Sequence, residues 1–202
     1  TGDREFLKKA FNKLLMGYAW WANRVDQTGD NVFEGGFLGL DNIGIFDRRY
    51  PLPDGSKIEQ SDGTAWMAMY ALNMLNVAIE LAREDPAYED IADKFLNDFI
   101  YLAAAINARG TDGYTLWDDE DGFYYDVLKR PDGSSDYLKT RSLVGLTPLF
   151  AVESFDDEVV RQFPLLRKRV EWFATHRPHL LDQLHHIGVE NQGKRLISQV
   201  SP

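Results

Sequence analysis

Residues 61–82 read SDGTAWMAMYALNMLNVAIELA. Met67, Tyr70, Met74, Val77 and Leu81 recur at three- and four-residue spacing, the period of one helical face. Trp66, Met69, Leu72 and Leu75 fall on other faces, so the helix is apolar most of the way round. A helix of that kind belongs inside a core, not on a surface. Ser61 or Asp62 supplies an N-cap at its start.

Working outward, a second helix has Phe6, Ala10, Leu14, Tyr18, Trp21 and Val25 as its stripe and is ended by DQTGDN (26–31). The Trp20-Trp21 pair is expected in the core, with Trp20 as the weaker candidate for the wall of a binding funnel. A third helix opens at REDPAYED, with Pro86 in its first turn, and runs to Gly110. Its stripe is Ile91, Phe95, Phe99, Leu102 and Ile106. Beyond residue 142 the pattern predicts helices over 143–153, 156–175 and 178–187, with Pro148 and Pro164 interrupting or beginning them. Two irregular stretches, 32–61 and 111–142, separate these helices. The first holds the turn PLPDG (51–55). In the second, alternating aromatics around Pro131-Asp132-Gly133 predict a β-hairpin. Long loops inside a compact helical unit are commonly functional.

The 202 residues suffice for one domain with a real core. A formal charge of −10, with no basic stripe, argues against a nucleic-acid partner. The chain has no cysteine, which excludes disulfides and thiolate metal sites. No apolar run is read as long enough to cross a bilayer and no leader is read at TGDREFLKKAF, so no membrane partner and a cytoplasmic location are expected. The first residue is not Met and the end, GKRLISQVSP, reads as the start of another helix. The expectation is a fragment of a longer protein.

The segment FEGGFLGLDNIGIFDR (33–48) sets Asp41 and Asn42 among glycines and apolar side chains. On residues alone, Asp41 reads as an Asx-turn. Together with the rest of NVFEGGFLGLDNIGIFDRRYPLPDGSKIEQSDGTAWMAMYALNMLNVAIELA (31–82), with LWDDEDGFYYDVL (116–128) and with LKTRSLVGLTPLFAVE (138–153), it resembles bacterial members of glycoside hydrolase family 63. The likeness runs from about residue 4 to the C-terminus. It implies an all-α fold, part of an (α/α)6 toroid of two concentric helical rings with long loops and a short hairpin. The whole chain, 1–202, would be a partial catalytic domain. It also implies inverting hydrolysis of α-glucosides or related small α-glycosides, including glucosylglycerate and mannosylglycerate in some branches.

The family's Gly-(Leu/Phe)-Asp-Asn/Asp motif matches Gly39-Leu40-Asp41-Asn42, and the resemblance makes Asp41 the general acid. The family's base, a Glu near Trp-Arg-Gly-Pro, has no counterpart here, so the isolated chain is expected to be inactive. An acid catalyst needs a carboxyl pKa above the ordinary ~3.9, which apolar surroundings supply by desolvation. Asn42 is a candidate for a sugar hydroxyl. Glu34 either faces the sugar or supports the loop through a salt bridge.

Glu59 and Gln60 are candidate sugar contacts, Asp62 a helix cap, and Asp47-Arg48-Arg49 an ion-pair corner. In WDDEDGFYYD (117–126), Trp117, Asp118, Glu120 and Tyr124 combine flat apolar faces with hydrogen-bond acceptors and are candidates to line the pocket. An EF-hand is excluded, because aligning Gly122 to its invariant glycine puts Trp117 and Leu128 at ligand positions. His176, His179, His185 and His186 near helix ends give no zinc pattern, and no cofactor or metal is expected. The competing class is a non-catalytic helical domain, either a carbohydrate-binding module or a scaffold. If the helices form an incomplete arc, its open ends would expose an apolar seam and the chain would self-associate.

Overall fold

Alanine decides how the helices pack. In the computed structural model, which describes residues 2–23, 33–34, 44–48, 50–107, 113–182, 190–191 and 194–200, helix α2 (Ser61–Ala82) follows α1 (Arg4–Ala22) and precedes α3 (Ala87–Asn107). Fifteen of the 22 residues of α2 are buried, so its all-round apolar pattern does mark a core helix. Ala68, Ala71 and Ala78 on α2 and Ala92 and Ala103 on α3 are fully buried. Small side chains let the two backbones approach, and the larger groups fill the flanks. Phe95 takes Tyr18 and Phe11 edge-on, at centroid separations of 4.9 and 6.2 Å. Edge-to-face contacts of this kind add to the stabilisation from burial itself.

Helix α2 also has the length and hydropathy of a membrane span, with a mean hydropathy of 1.2 over its best window. That corrects the sequence reading that no run reaches that length. Within the fold α2 packs against α1, α3, a 3₁₀ helix (Leu143–Phe150) and two strands.

The first helix shows a second correction. Its buried residues are Phe11 and Tyr18, two turns apart, whereas Phe6 is 67% exposed and Leu14 and Trp20 are also exposed. The inward stripe shares Tyr18 with the one read from the sequence but is rotated by about a sixth of a turn. Asp3 caps the helix, its carboxylate accepting from Phe6 N–H at 2.9 Å.

An all-α toroid is not what the chain forms. The fold is mixed, 57% helical and 17% strand, with three small antiparallel sheets. The first sheet joins β1 (Phe33–Glu34), β2 (Lys57–Gln60), β5 (Asp126–Lys129) and β6 (Ser135–Leu138) in that order. β3 (Trp117–Asp118) and β4 (Phe123–Tyr124) make a separate hairpin. β7 (Val152–Asp156) pairs with β9 (Lys194–Ser198), which also takes β8 (Glu190–Asn191).

Pro-Asp-Gly-Ser occurs twice, at 53–56 before β2 and at 131–134 between β5 and β6. Both copies fold alike. The Asp carboxylate accepts the Ser N–H (3.0 and 2.9 Å) and the Gly sits at positive φ (80° and 85°), the left-handed conformation that glycine adopts without strain.

The helix expected over 156–175 is two pieces, α4 (Asp157–Gln162) and α5 (Pro164–His176). Proline disfavours helical geometry in the residue before it, and Phe163 is extended at φ −113°, ψ 90°. Glu89 of α3 then receives Leu165 N–H at 2.8 Å and Arg169 forks onto Asp93, tying α5 to α3. The last helix, α6 (Pro178–Asp182), covers the start of the expected 178–187, and His185 and His186 lie outside the described residues. Leu143, Leu146 and Leu149 repeat every third residue along the 3₁₀ helix and are exposed, as are Phe150 and Val152.

Candidate active site

Strand β2 runs into α2 without a break, and this junction collects the buried charge of the first sheet. Gln60 sits at the cap position in extended geometry and makes no side-chain cap bond. The cap comes instead from β5: Asp126 Oδ1 accepts Ser61 N–H at 2.9 Å and the Ser61 hydroxyl at 3.3 Å. A carboxylate there also meets the positive end of the helix dipole.

Asp62, expected as the cap, does something else. Arg48 forks onto it, with Nη1–Oδ1 at 2.7 Å and Nη2–Oδ2 at 2.8 Å, and donates a third bond from Nη1 to Asp126 Oδ2 at 2.9 Å. The three residues are 5%, 1% and 7% exposed for Arg48, Asp62 and Asp126. Burial pushes the Asp126 carboxyl above its usual value; Arg48 opposes that rise and Asp62 adds to it. Burial alone would lower Arg48, but Asp62 and Asp126 more than offset it and the guanidinium ends above its ordinary value. Arg48 thus takes part in an ion-pair corner, as expected, with Asp62 and Asp126 as partners farther along the chain.

The segment resembling the family's acid motif is fixed at both flanks to this junction. Upstream, β1 pairs with β2 in the register Phe33↔Gln60 and Glu34↔Glu59. Phe33 N–H donates to Thr64 Oγ1 at 3.1 Å, and that hydroxyl donates to Gln60 O at 2.8 Å. Downstream, Arg48 closes onto α2 and β5. Gly44, Phe46 and Arg48 line a small cleft together with Ile58, Tyr125, Asp126 and Thr140. Asp41 and Asn42 lie outside the described residues, as does the side chain of Glu34.

Of the candidate sugar contacts, Glu59 is buried in an ion pair with Lys129 across the β2–β5 register. Gln60 is also buried, and its Oε1 lies so close to Gly63 that a Cβ there would sit 2.9 Å from it. Both side chains belong to the interior.

The aromatic-acidic stretch makes a network of its own. Trp117 packs edge-on against Tyr124 across the β3–β4 pair, at 4.8 Å. The buried Tyr124 hydroxyl donates to Asn107 Oδ1 at 2.8 Å, and burial pushes its phenol well above the usual range. Lys139 Nζ reaches Asp118 at 2.9 Å and Asp121 at 3.2 Å, and Arg141 Nη2 donates to Asp121 Oδ1 at 2.9 Å. The hydrogen bond from Lys139 holds both carboxyls below their ordinary value, and those bonds raise the ammonium in turn. The Glu120 side chain is 89% exposed. Trp117, Asp118 and Tyr124 therefore brace a hairpin separate from the sheet carrying Glu59 and Gln60.

Sequence reasoning passed over Arg48, Asp62 and Asp126 as a unit. The available signal was Asp126 itself, a lone carboxylate in the apolar run FYYDVL, since a charge buried in a strand requires a partner. Among the described residues no cluster of three His, Cys, Asp or Glu side chains is arranged to hold a metal ion. His176 stacks on Trp172 at 5.1 Å, with Nδ1 3.0 Å from the Trp172 carbonyl.

The chain is similar to a protein of Saccharomyces cerevisiae named "Uncharacterized protein YMR196W", with 44% identity over 207 residues. The match takes in 96% of this chain but 19% of the yeast protein, so the chain spans less than a fifth of that relative's length. No family model and no solved structure matches it.

Proposed function

We propose that the chain is the acid-bearing portion of a longer enzyme that hydrolyses α-glycosidic bonds, in an α-glucoside or a related small α-glycoside, with inversion. The observation that supports this reading is the anchoring of the segment around Asp41. Strand pairing holds its upstream flank and Arg48 its downstream flank, so its two ends are fixed against the start of α2. A catalytic carboxyl must be held close to its productive position, and rigid flanks serve that need.

In this reading Asp41 gives its proton to the glycosidic oxygen as the bond from C1 to that oxygen breaks. A base elsewhere in the longer protein takes a proton from water, whose oxygen attacks C1 from the opposite face. Inverting enzymes leave room for that water by setting their carboxyls ~6.5–9.5 Å apart. Asn42 hydrogen-bonds a sugar hydroxyl beside the acid.

The test is Asp41→Asn in the full-length protein, assayed on an alkyl α-glucoside, whose basic leaving oxygen most needs protonation. General-acid assistance contributes ~10²–10⁴-fold, and kcat is expected to fall by that much with the circular dichroism spectrum unchanged. An unaltered kcat would remove Asp41 from the mechanism, and the absence of hydrolysis in the unmodified protein would leave a non-catalytic binding or scaffold domain.

A further inference from the structure

The three long helices and β1 line a half-open cavity of about 240 Å³. Tyr18 and Ala22 come from α1, Met67 from α2, Lys94, Asp98, Tyr101 and Leu102 from α3, and Phe33 from β1. Sites for drug-sized ligands occupy ~300–1,000 Å³, so an occupant here is small.

The polar groups are arranged asymmetrically. The Tyr18 hydroxyl donates to Asp98 Oδ2 at 2.9 Å, and Lys94 Nζ pairs with the same oxygen. Burial, reinforced by Asp98, pushes the Tyr18 phenol far above its usual range, so it remains a neutral donor. Both bonds fall on Oδ2, and among the described residues Asp98 Oδ1 and the Tyr101 hydroxyl have no hydrogen-bond partner. Lys94 also keeps donor capacity, since an ammonium carries three N–H groups.

The cavity therefore offers a carboxylate acceptor, an ammonium donor and a phenol within two turns of α3, beside the rings of Tyr18, Phe33 and Tyr101. Its fixed charges cancel. A phosphate would meet Asp98 and an ammonium ligand would meet Lys94. A neutral polyol meets neither penalty: its hydroxyls donate and accept in turn, and its C–H faces lie on aromatic rings.

We propose that this cavity binds a neutral sugar of monosaccharide size, with Asp98, Lys94 and Tyr101 bonding its hydroxyls. The site shares Phe33 with the segment that carries Asp41 and requires no catalysis of its own.

Lys94 supplies a local readout, because its side chain is 52% exposed and open to acetylation. Full-length protein is treated with an acetylating ester in the presence of increasing D-glucose, and acetylation of Lys94 and of Lys168 on α5 is followed by peptide mass spectrometry. D-glucose is expected to slow acetylation of Lys94 at least threefold, saturably, without slowing Lys168. Inorganic phosphate should give no such protection. Tyr101→Phe removes a hydroxyl while keeping the ring against Phe173, and should move half-protection to at least fivefold higher glucose. Equal Lys94 rates with and without glucose would overturn the proposal, as would equal protection by phosphate or an unchanged midpoint in Tyr101→Phe. Protection without hydrolysis would leave this site standing and sink the hydrolase reading. Hydrolysis without protection would do the reverse.

Discussion

Replacing Arg48 with Met isolates the ion cluster at the start of α2. The substitution keeps an unbranched side chain but removes three charge-assisted hydrogen bonds, two to Asp62 and one to Asp126. Asp62 keeps Gly63 N–H at 2.8 Å and Asp126 keeps Ser61 N–H, so both carboxylates stay buried with one backbone donor each. Breaking a buried pair by removing one partner costs ~3–5 kcal/mol, against a total stability of ~5–15 kcal/mol for an ordinary domain. Urea unfolding of the chain followed by circular dichroism at pH 7 should show that loss.

The pH dependence has a definite sign. Folding raises the Asp126 pKa, so its protonated form is favoured in the native state. That contribution is fully present below the unfolded value of ~3.9 and is lost as pH rises through the folded value. Arg48 opposes the rise, so removing it moves the folded value higher still, and protonation of Asp126 then relieves one of the two stranded charges. The cost of Arg48→Met must therefore shrink as pH falls from 7 towards 5. Adding Asp126→Asn should recover stability at pH 7. A cost below about 1 kcal/mol at pH 7, or one that grows on acidification, would refute the reasoning.

Gly145 leaves no room for a side chain: a Cβ there would lie 2.2 Å from Tyr124 O and 2.1 Å from Phe123 Cε1. Gly145→Ala should cost ~1–3 kcal/mol, read as a lower urea midpoint, and a neutral result would show that the 3₁₀ helix does not press on β4 as described. Gln199 is fully buried and, among the described residues, both its side-chain polar atoms are unpartnered, while its backbone bonds to Ala151 and Asn107 need no side chain. Gln199→Met should stabilise the chain by ~1 kcal/mol, because an unsatisfied buried polar group costs ~1–3 kcal/mol; a fall in stability would mean that the amide has a partner.

The helices were legible where one residue type carried the signal. Met67, Met74 and Leu81 sit in the core as their spacing demands, and so do Phe95 and Phe99. On α1 the aromatic and aliphatic residues fall on several faces, and periodicity could not decide between Phe6 and Phe11. The sheets were hidden for a different reason. Lys57–Gln60 is too short to show alternation before α2 begins, and the partner of Val152–Asp156 lies about forty residues on, at Lys194–Ser198. Asp126 in an apolar strand signals that a partner is needed, but the distance of 14 and 78 positions from Arg48 to its two partners hides which residue that is. Lys139 and Arg141, which pair with Asp118 and Asp121 of WDDEDGFYYD, stand outside that motif, so the pairing could not be read from it.

The most direct test of the hydrolytic reading is the configuration of the first product. Full-length protein and an alkyl α-glucoside are mixed in deuterated buffer, and the anomeric proton of released glucose is followed by NMR before mutarotation. Inversion predicts that β-glucose appears first and the α anomer only later, and that the 202-residue chain alone, which lacks a recognised base, releases none. Initial release of α-glucose, or no release by the full-length protein, would contradict the account.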